Sequence, residues 1–403
     1  MNCSHIDDYI MAAEGLRTLD RQSLEALQLR KLNAMLQRMR AHGETHLPTR
    51  VETLEALAAL PFTTAEDLAE KPSRFLLTSQ GEIARIITDR TSGTTAVAKR
   101  VFYTEEDVQN TIDFFAAGIS EMAQPGESVL ITMPFSGALG LGDLIQKAVE
   151  KIGARPLCAG WGKSYDELSA LVCAEKPRSY IGFPVPLLSL ARYMGEGFNI
   201  ERALISGDVC APGVFAILSE QFTLYPHYGS REMCLGGAIT CPAFHGMHVR
   251  ENHFIAEIIG DDGLPVPDGQ EGELVITTIG MTAMPLLRYR TGDRTRILAG
   301  SCPCGSVTRR IAQPFRIGSD ADLLCAFDDA LFALPDVIDY RAERKGQTIH
   351  IQALCKKDCV DEAIRDRAQT VYPEIEVTSR ICQGQHTPLY PGKRKLIKEE
   401  KMR

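Results

Sequence analysis

Two stretches of the chain hold residue types that can do chemistry. Residues 90–100, RTSGTTAVAKR, gather hydroxyl and glycine residues and close on two cations. Small residues let a backbone approach a ligand closely, their N–H and O–H groups donate to anionic oxygens, and Lys99 and Arg100 add charge. The loop reads as a phosphate cradle; the competing reading is a polar turn between strands at 83–88 and 101–103. It lacks the pattern G-x-x-x-x-G-K-[ST], so any phosphate here is held in a different fold from a P-loop. The second stretch is GSCPCGS, where Cys302 and Cys304 crowd a Gly/Pro turn. Thiols so placed favour a metal knuckle or a redox pair over packing. Two further ligands are at hand in CPAFHGMHV, where Cys241, His245 and His248 share one glycine-containing turn.

Composition narrows the setting. A chain of 403 residues with 44% hydrophobic and 24% charged residues can bury large cores and should form two or more domains. A net charge of −8 argues against a nucleic-acid partner, which would need a concentrated basic surface. The start, MNCSHIDDYI, has no basic or apolar leader character, and no run approaches the roughly 18 apolar residues of a membrane helix. The expectation is a soluble cytoplasmic protein with no membrane partner and reduced thiols. Of its 12 cysteines, Cys158, Cys173 and Cys210 sit in apolar segments and are expected as small core residues.

These groups must be positioned by regular elements. Leu24, Leu27, Leu32, Met35 and Met39 form one stripe of a helix over 21–42. Thr64-Ala-Glu-Asp67 and Thr104-Glu-Glu-Asp107 are helix-start boxes. From 128 to 210 strands alternate with helices (SVLITMPF, DLIQKAVEKIG, RSYIGF, LLSLARYM), which predicts an α/β layer on a parallel sheet. After 245 the texture changes to short strands, HFIAEIIG, GELVITTIG and RTRILAG, separated by turn signals, and the last 85 or so residues return to mixed α and β. SGALGLG places Gly137, Gly140 and Gly142 as G-x-x-G-x-G, the reverse of a dinucleotide fingerprint, so a plain strand-to-helix turn is expected.

The segments TSGTTAVAK (91–99), SGD (206–208), YGSRE (228–232), GELVITT (272–278) with MPLLRYRTGD (284–293), and PGKRK (391–395) occur in the order of adenylate-forming ligases. The chain resembles that acyl-CoA synthetase superfamily, in particular its phenylacetate–coenzyme A ligase-like branch, over residues 24–318. The words LQLRKLNAMLQRM, LEALAALPFTTAEDL, GMHVRENHFIAEII and SCPCG extend the likeness. The resemblance implies an α/β fold: a large domain at 1–317 with α/β layers and a β-rich subregion, then a small mobile α+β lid at 318–403. It implies that an organic carboxylic acid, expected to be aromatic, attacks the α-phosphorus of ATP, giving an acyl-adenylate and pyrophosphate before coenzyme A displaces AMP. Thr91, Ser92, Gly93, Thr94, Thr95 and Lys99 would hold the phosphates, and Glu232 the magnesium. Tyr228 and Gly229 would form the adenine shelf, flanked by Ser206, Gly207 and Asp208. Asp293 would take the ribose hydroxyls, and Lys393 would serve adenylation.

Some relatives in that branch carry a cysteine before G-x-H and a later C-x-C. A structural zinc on Cys241, His248, Cys302 and Cys304 is therefore implied, with His245 as the rival nitrogen and unbound cysteines as the third reading. Three departures stand out: Ala96 and Ala98 replace the first motif's glycine and proline, Arg231 precedes Glu232, and Ser319 stands in the place of the hinge arginine. They keep two alternatives open, an adenylating enzyme with an amine or carrier-protein acceptor, and a catalytically weak nucleotide- or adenylate-binding protein. A homodimer is allowed.

Overall fold

A computed structural model describes residues 5–89, 99–137, 139–316, 320–356, 360–382, 384, 386–390 and 393–398. The chain divides into two compact units, Met1–Glu121 with Pro226–Phe315, and Met122–Tyr225 with Arg316–Arg403.

The first unit is built on antiparallel pairings. The predicted long helix spans Arg21–Ala41, capped by Asp20, whose side chain accepts from the Ser23 N–H. Its stripe of Leu32, Met35, Leu36 and Met39 packs with Ile255, Ile279 and Leu287 into one core, with helical spacing setting the buried face. A three-stranded sheet orders Ile255–Ile259, Gly272–Thr277 and Tyr289–Thr295 side by side. A hairpin pairs Ile83–Asp89 with Lys99–Thr104. Residues 90–98, which join its strands, lie outside the described residues. A further ladder runs from His227 and Tyr228 through Ala238–Thr240 and Met247–Val249 to Arg310–Ile311. Both helix-start boxes form as expected, at Thr64 and Thr104.

The last strand departs from expectation. It covers Tyr289–Thr295 rather than RTRILAG, because the ladder to Gly272–Thr277 begins at Tyr289 opposite Ile276. The rest of RTRILAG pairs in part, with an isolated antiparallel bridge from Ile297 to Ile311 and the Leu298 N–H donating to the Arg310 carbonyl.

The second unit contains the predicted parallel sheet, with Ser128–Ile131 between Arg155–Cys158 and Ser179–Gly182, and Arg202–Ile205 beyond. A strand-to-helix turn forms as expected: Gly140 caps the helix Leu141–Lys151, whose Gly142 N–H donates to the Pro134 carbonyl at 2.8 Å. Four strands of the C-terminal part form a mixed sheet, with Val337–Lys345 between Thr348–Cys355 and Ile397–Lys398, and Glu376–Cys382 beyond Thr348–Cys355. Its core is continuous with that of the parallel sheet, running from Leu130, Tyr180 and Leu187 to Phe327, Tyr340 and Ile351. Arg192 ties the two together, donating to the carbonyls of Phe332, Leu334 and Val337.

Two of the thiols expected in the core are exposed. Cys158 ends a strand that pairs on one side only. Cys173 follows the buried Val172 on a helix whose inner face is Tyr165, Leu168 and Val172, so it turns outward.

Candidate active site

Four of the residues expected to meet nucleotide lie in the first unit and form two hydrogen-bonded groups. Lys99, the first residue of its strand, pairs its ammonium with the Glu232 carboxylate. Glu232 is 5% exposed and sits on the turn Arg231–Met233. The turn is pinned by N–H groups of Met233 and Leu235 donating to the Ser230 carbonyl, and by the Tyr103 hydroxyl donating to Arg231 O. Burial would raise the Glu232 carboxyl, but the Lys99 charge and hydrogen bond, together with smaller hydrogen-bond contributions from the turn, reverse it and the net shift is downward.

The second group joins Tyr228 to Asp293. The Tyr228 hydroxyl donates to Asp293 Oδ2 at 2.8 Å. Burial, reinforced by the Asp293 charge, pushes the phenol well up, so it remains a donor. A β-bulge aims Asp293: the register slips between Glu273 and Val275, and the extra residues carry Gly292 at φ +74°. The Thr291 hydroxyl fastens the bulge, donating to the Leu274 carbonyl and accepting from the Asp293 N–H. Gly229 is required for a reason the sequence did not suggest. A Cβ there would lie 2.0 Å from the Leu235 carbonyl oxygen, so the close approach it permits is backbone to backbone within the turn.

Ser206, Gly207, Asp208 and Lys393 belong to the second unit. Asp208 accepts from the Arg394 N–H at 3.1 Å and from its neighbour Val209 N–H at 3.0 Å. Burial raises its carboxyl, opposed by the charges of Lys393 and Arg394. The neighbouring Arg394 is buried and stacks 4.5 Å from the Tyr340 ring centroid while pairing with Asp328. Thr91, Ser92, Gly93, Thr94 and Thr95 lie outside the described residues, as do Gly318 and Ser319.

The Cys/His set converges. Donor atoms of Cys241, His248, Cys302 and Cys304 all lie within 4.8 Å of one another. Cys241 and Cys302 sulfurs are 3.6 Å apart, and Cys304 Sγ is 3.4 Å from His248 Nε2. Tetrahedral coordination with ordinary Zn–S and Zn–N lengths gives edges of about 3.8 Å and about 3.6 Å. These two spacings fit that geometry, and 3.6 Å is far beyond a disulfide bond. His245 is exposed and outside the set; its carbonyl accepts from Arg310 Nη1. A chain of polar contacts fixes the imidazole: His248 Nδ1 is 2.8 Å from the Thr308 hydroxyl, Thr308 is 2.8 Å from the Ser306 hydroxyl, and Ser306 donates to Asp7 at 2.6 Å. Donation along this chain toward the carboxylate leaves Nε2 bare toward the thiols, the arrangement a ligating histidine needs. Burial, with Arg310 nearby, pushes the imidazole down to about 4.

Sequence reasoning missed Thr308, Ser306 and Asp7, and it also missed Tyr289 and its supports. The Tyr289 hydroxyl donates to Glu232 Oε1 at 3.0 Å and accepts from Lys99 Nζ at 3.3 Å. The one visible signal was the word RYRTGD itself.

Residues 28–284 match the model of the family described as AMP-binding enzyme. The phenylacetate-coenzyme A ligase of Thermus thermophilus is 27% identical over 366 residues, 82% of this chain and 80% of that protein. The phenylacetate-coenzyme A ligase of Escherichia coli is 28% identical over 320 residues, 72% of this chain and 70% of that one. Among solved structures, a 2-hydroxyisobutyryl-CoA ligase in a postadenylation state superposes with a TM-score of 0.75 at 18% identity, covering 95% of this chain and 91% of its own. That likeness bears on the fold. With the model matching well over half of its length, this chain belongs to the AMP-binding enzyme family.

Proposed function

We propose that the protein is an AMP-forming acid–coenzyme A ligase that activates an aromatic carboxylic acid. The single observation that carries the reading is the pair of groups in the first unit, Lys99 with Glu232 and Tyr228 with Asp293, set on a chain of the AMP-binding family. A carboxylate is a poor electrophile, and its attack on the α-phosphorus asks mainly for positioning and charge neutralisation. Lys99 neutralises the outer phosphates, and residues 91–95 add hydroxyl and backbone donors. Asp293 accepts from the ribose hydroxyls, held in place by Tyr228, whose ring forms the adenine shelf with Gly229; Ser206, Gly207 and Asp208 are the second unit's candidates for nucleotide binding. Lys393 neutralises the reacting oxygens during adenylation, carried by a lid of residues 318–403, while 1–317 bind ATP and acid.

Glu232 is the carboxylate suited to magnesium, a hard cation that takes oxygen ligands and offsets phosphate charge when bound. Cys241, His248, Cys302 and Cys304 are suited to a structural zinc, which closes the β-rich subregion without leaving an open position. The protein acts in the cytoplasm.

The test supplies ATP, magnesium, coenzyme A and a panel of aromatic and aliphatic acids, and follows AMP and acyl-coenzyme A by mass spectrometry. AMP and thioester should form in equal amounts with an aromatic acid. AMP with hydroxylamine as acceptor but no thioester would point instead to an amine or carrier-protein acceptor.

A further inference from the structure

Glu232 Oε1 has two partners of different kinds. Lys99 brings a positive charge on a flexible stem. Tyr289 brings a neutral hydroxyl on a braced strand. The bracing is unusually complete. Thr63 clamps the backbone on both sides of Tyr289, its N–H donating to the Arg288 carbonyl at 3.1 Å and its own carbonyl accepting from the Arg290 N–H at 2.9 Å. The Thr63 hydroxyl adds a bond to the Leu287 carbonyl at 2.7 Å. Arg288 is a non-glycine residue at φ +45°, a conformation that persists only where the surroundings over-determine it. Its guanidinium is held by both Glu257 oxygens at 3.0 Å, by the carbonyls of Ala58 and Leu60, and by the Phe62 ring at 4.1 Å. Such strained, fixed positions gather where a side chain must be aimed.

We propose that Tyr289 is a positioning residue that keeps Glu232 aimed while its cationic partner changes from Lys99 to a divalent metal. The proposal rests on the reading of Glu232 as the metal carboxylate. Lys99 and a divalent cation repel each other, so both cannot stay on one carboxylate oxygen, and a triphosphate offers Lys99 a more negative partner. A neutral hydroxyl meets no such repulsion. Tyr289 can stay on Oε1 throughout, because a carboxylate has about four lone-pair sites and one donor leaves the rest open. Without it, Glu232 Oε1 would lose its braced, neutral donor at the moment Lys99 departs.

The experiment measures ATP-dependent Mn2+ binding by the loss of the free-ion electron paramagnetic resonance signal, with no acid present, so no turnover is needed. Glu232→Gln should abolish that binding, and Tyr289→Phe should weaken it about tenfold, the lower end of what losing an outer hydrogen bond to a metal ligand does. The magnesium concentration needed for pyrophosphate exchange should rise by the same factor, with the rate recovering at saturating metal; a fold defect would not be rescued so. The Tyr289→Phe effect should persist in a Lys99→Met background. Unchanged Mn2+ affinity in Tyr289→Phe, or an effect that vanishes without Lys99, overturns the proposal while leaving Glu232 as the metal carboxylate. Intact Mn2+ binding in Glu232→Gln would remove the reading beneath it and the proposal with it.

Discussion

Two polar clusters of the first unit are built on opposite plans. Cys241, His248, Cys302 and Cys304 bring four donors of like character to one point, with no cation among them. Lys99, Glu232 and Tyr289 already satisfy one another, cation against anion with a hydroxyl between. The first arrangement suits a metal that stays. The second is complete alone and suits an occupant that comes and goes, since its partners can be exchanged at small net change. Permanence and turnover are thus written into the pairing of the side chains.

The contrast is broken most severely at the thiols. Cys302→Ser should release the metal, about one zinc per chain in the parent protein, and lower the melting temperature by about 10 °C, since structural zinc contributes folding energy outright. Metal analysis of dialysed protein with calorimetry checks this; a fully folded, metal-free parent would refute it. Next in size, Lys99→Ala strands a buried carboxylate and should cost about 3 kcal/mol of stability in the nucleotide-free protein. It should weaken ATP far more than AMP, and equal losses by isothermal titration would remove Lys99 from the phosphates.

Smaller still is the effect of the outer chain behind His248. Asp7→Asn removes its terminal charge 2.6 Å from Ser306 and should weaken zinc about tenfold in a competition with a chelator, without loss of stoichiometry. Zinc affinity equal to the parent's would make Asp7 a helix anchor only. His227 is buried against Phe114 and Phe115, with its imidazole pushed down to about 4 by burial alone. Below its ordinary value of 6.5 the unfolded chain takes up a proton that the folded chain refuses. Its contribution is therefore fully present above pH 6.5 and is lost toward pH 4, by up to about 1.4 kcal/mol per pH unit. Melting temperatures across that window should flatten in His227→Phe; an unchanged slope would assign the acid loss elsewhere.

The sequence was most informative where local chemistry decides. Helix caps at Thr64 and Thr104, the stripe from Leu24 to Met39 and the parallel strands follow from spacing alone, and each formed. The Cys-x-Cys turn announced its thiols, and His248 rather than His245 entered the set because the strand Met247–Val249 turns it inward opposite Arg310. What stayed hidden depends on contacts far apart in the chain. Nothing near Tyr289 foretells a bond to Glu232, 57 residues away, or a clamp from Thr63. Nothing near Cys158 foretells that its strand pairs on one side only. Asp293 could be picked out by its word, but the bulge that aims it is a property of the register with Glu273 and Val275.

Acyl-adenylate formation is the step on which the proposed activity rests. The most direct measurement is exchange of labelled pyrophosphate into ATP with coenzyme A left out. Exchange that requires both magnesium and an aromatic acid, and that falls by about a hundredfold or more in Lys393→Ala, is the result expected. AMP binding without exchange, for every acid supplied, would contradict the account and leave a nucleotide-binding protein in place of an enzyme.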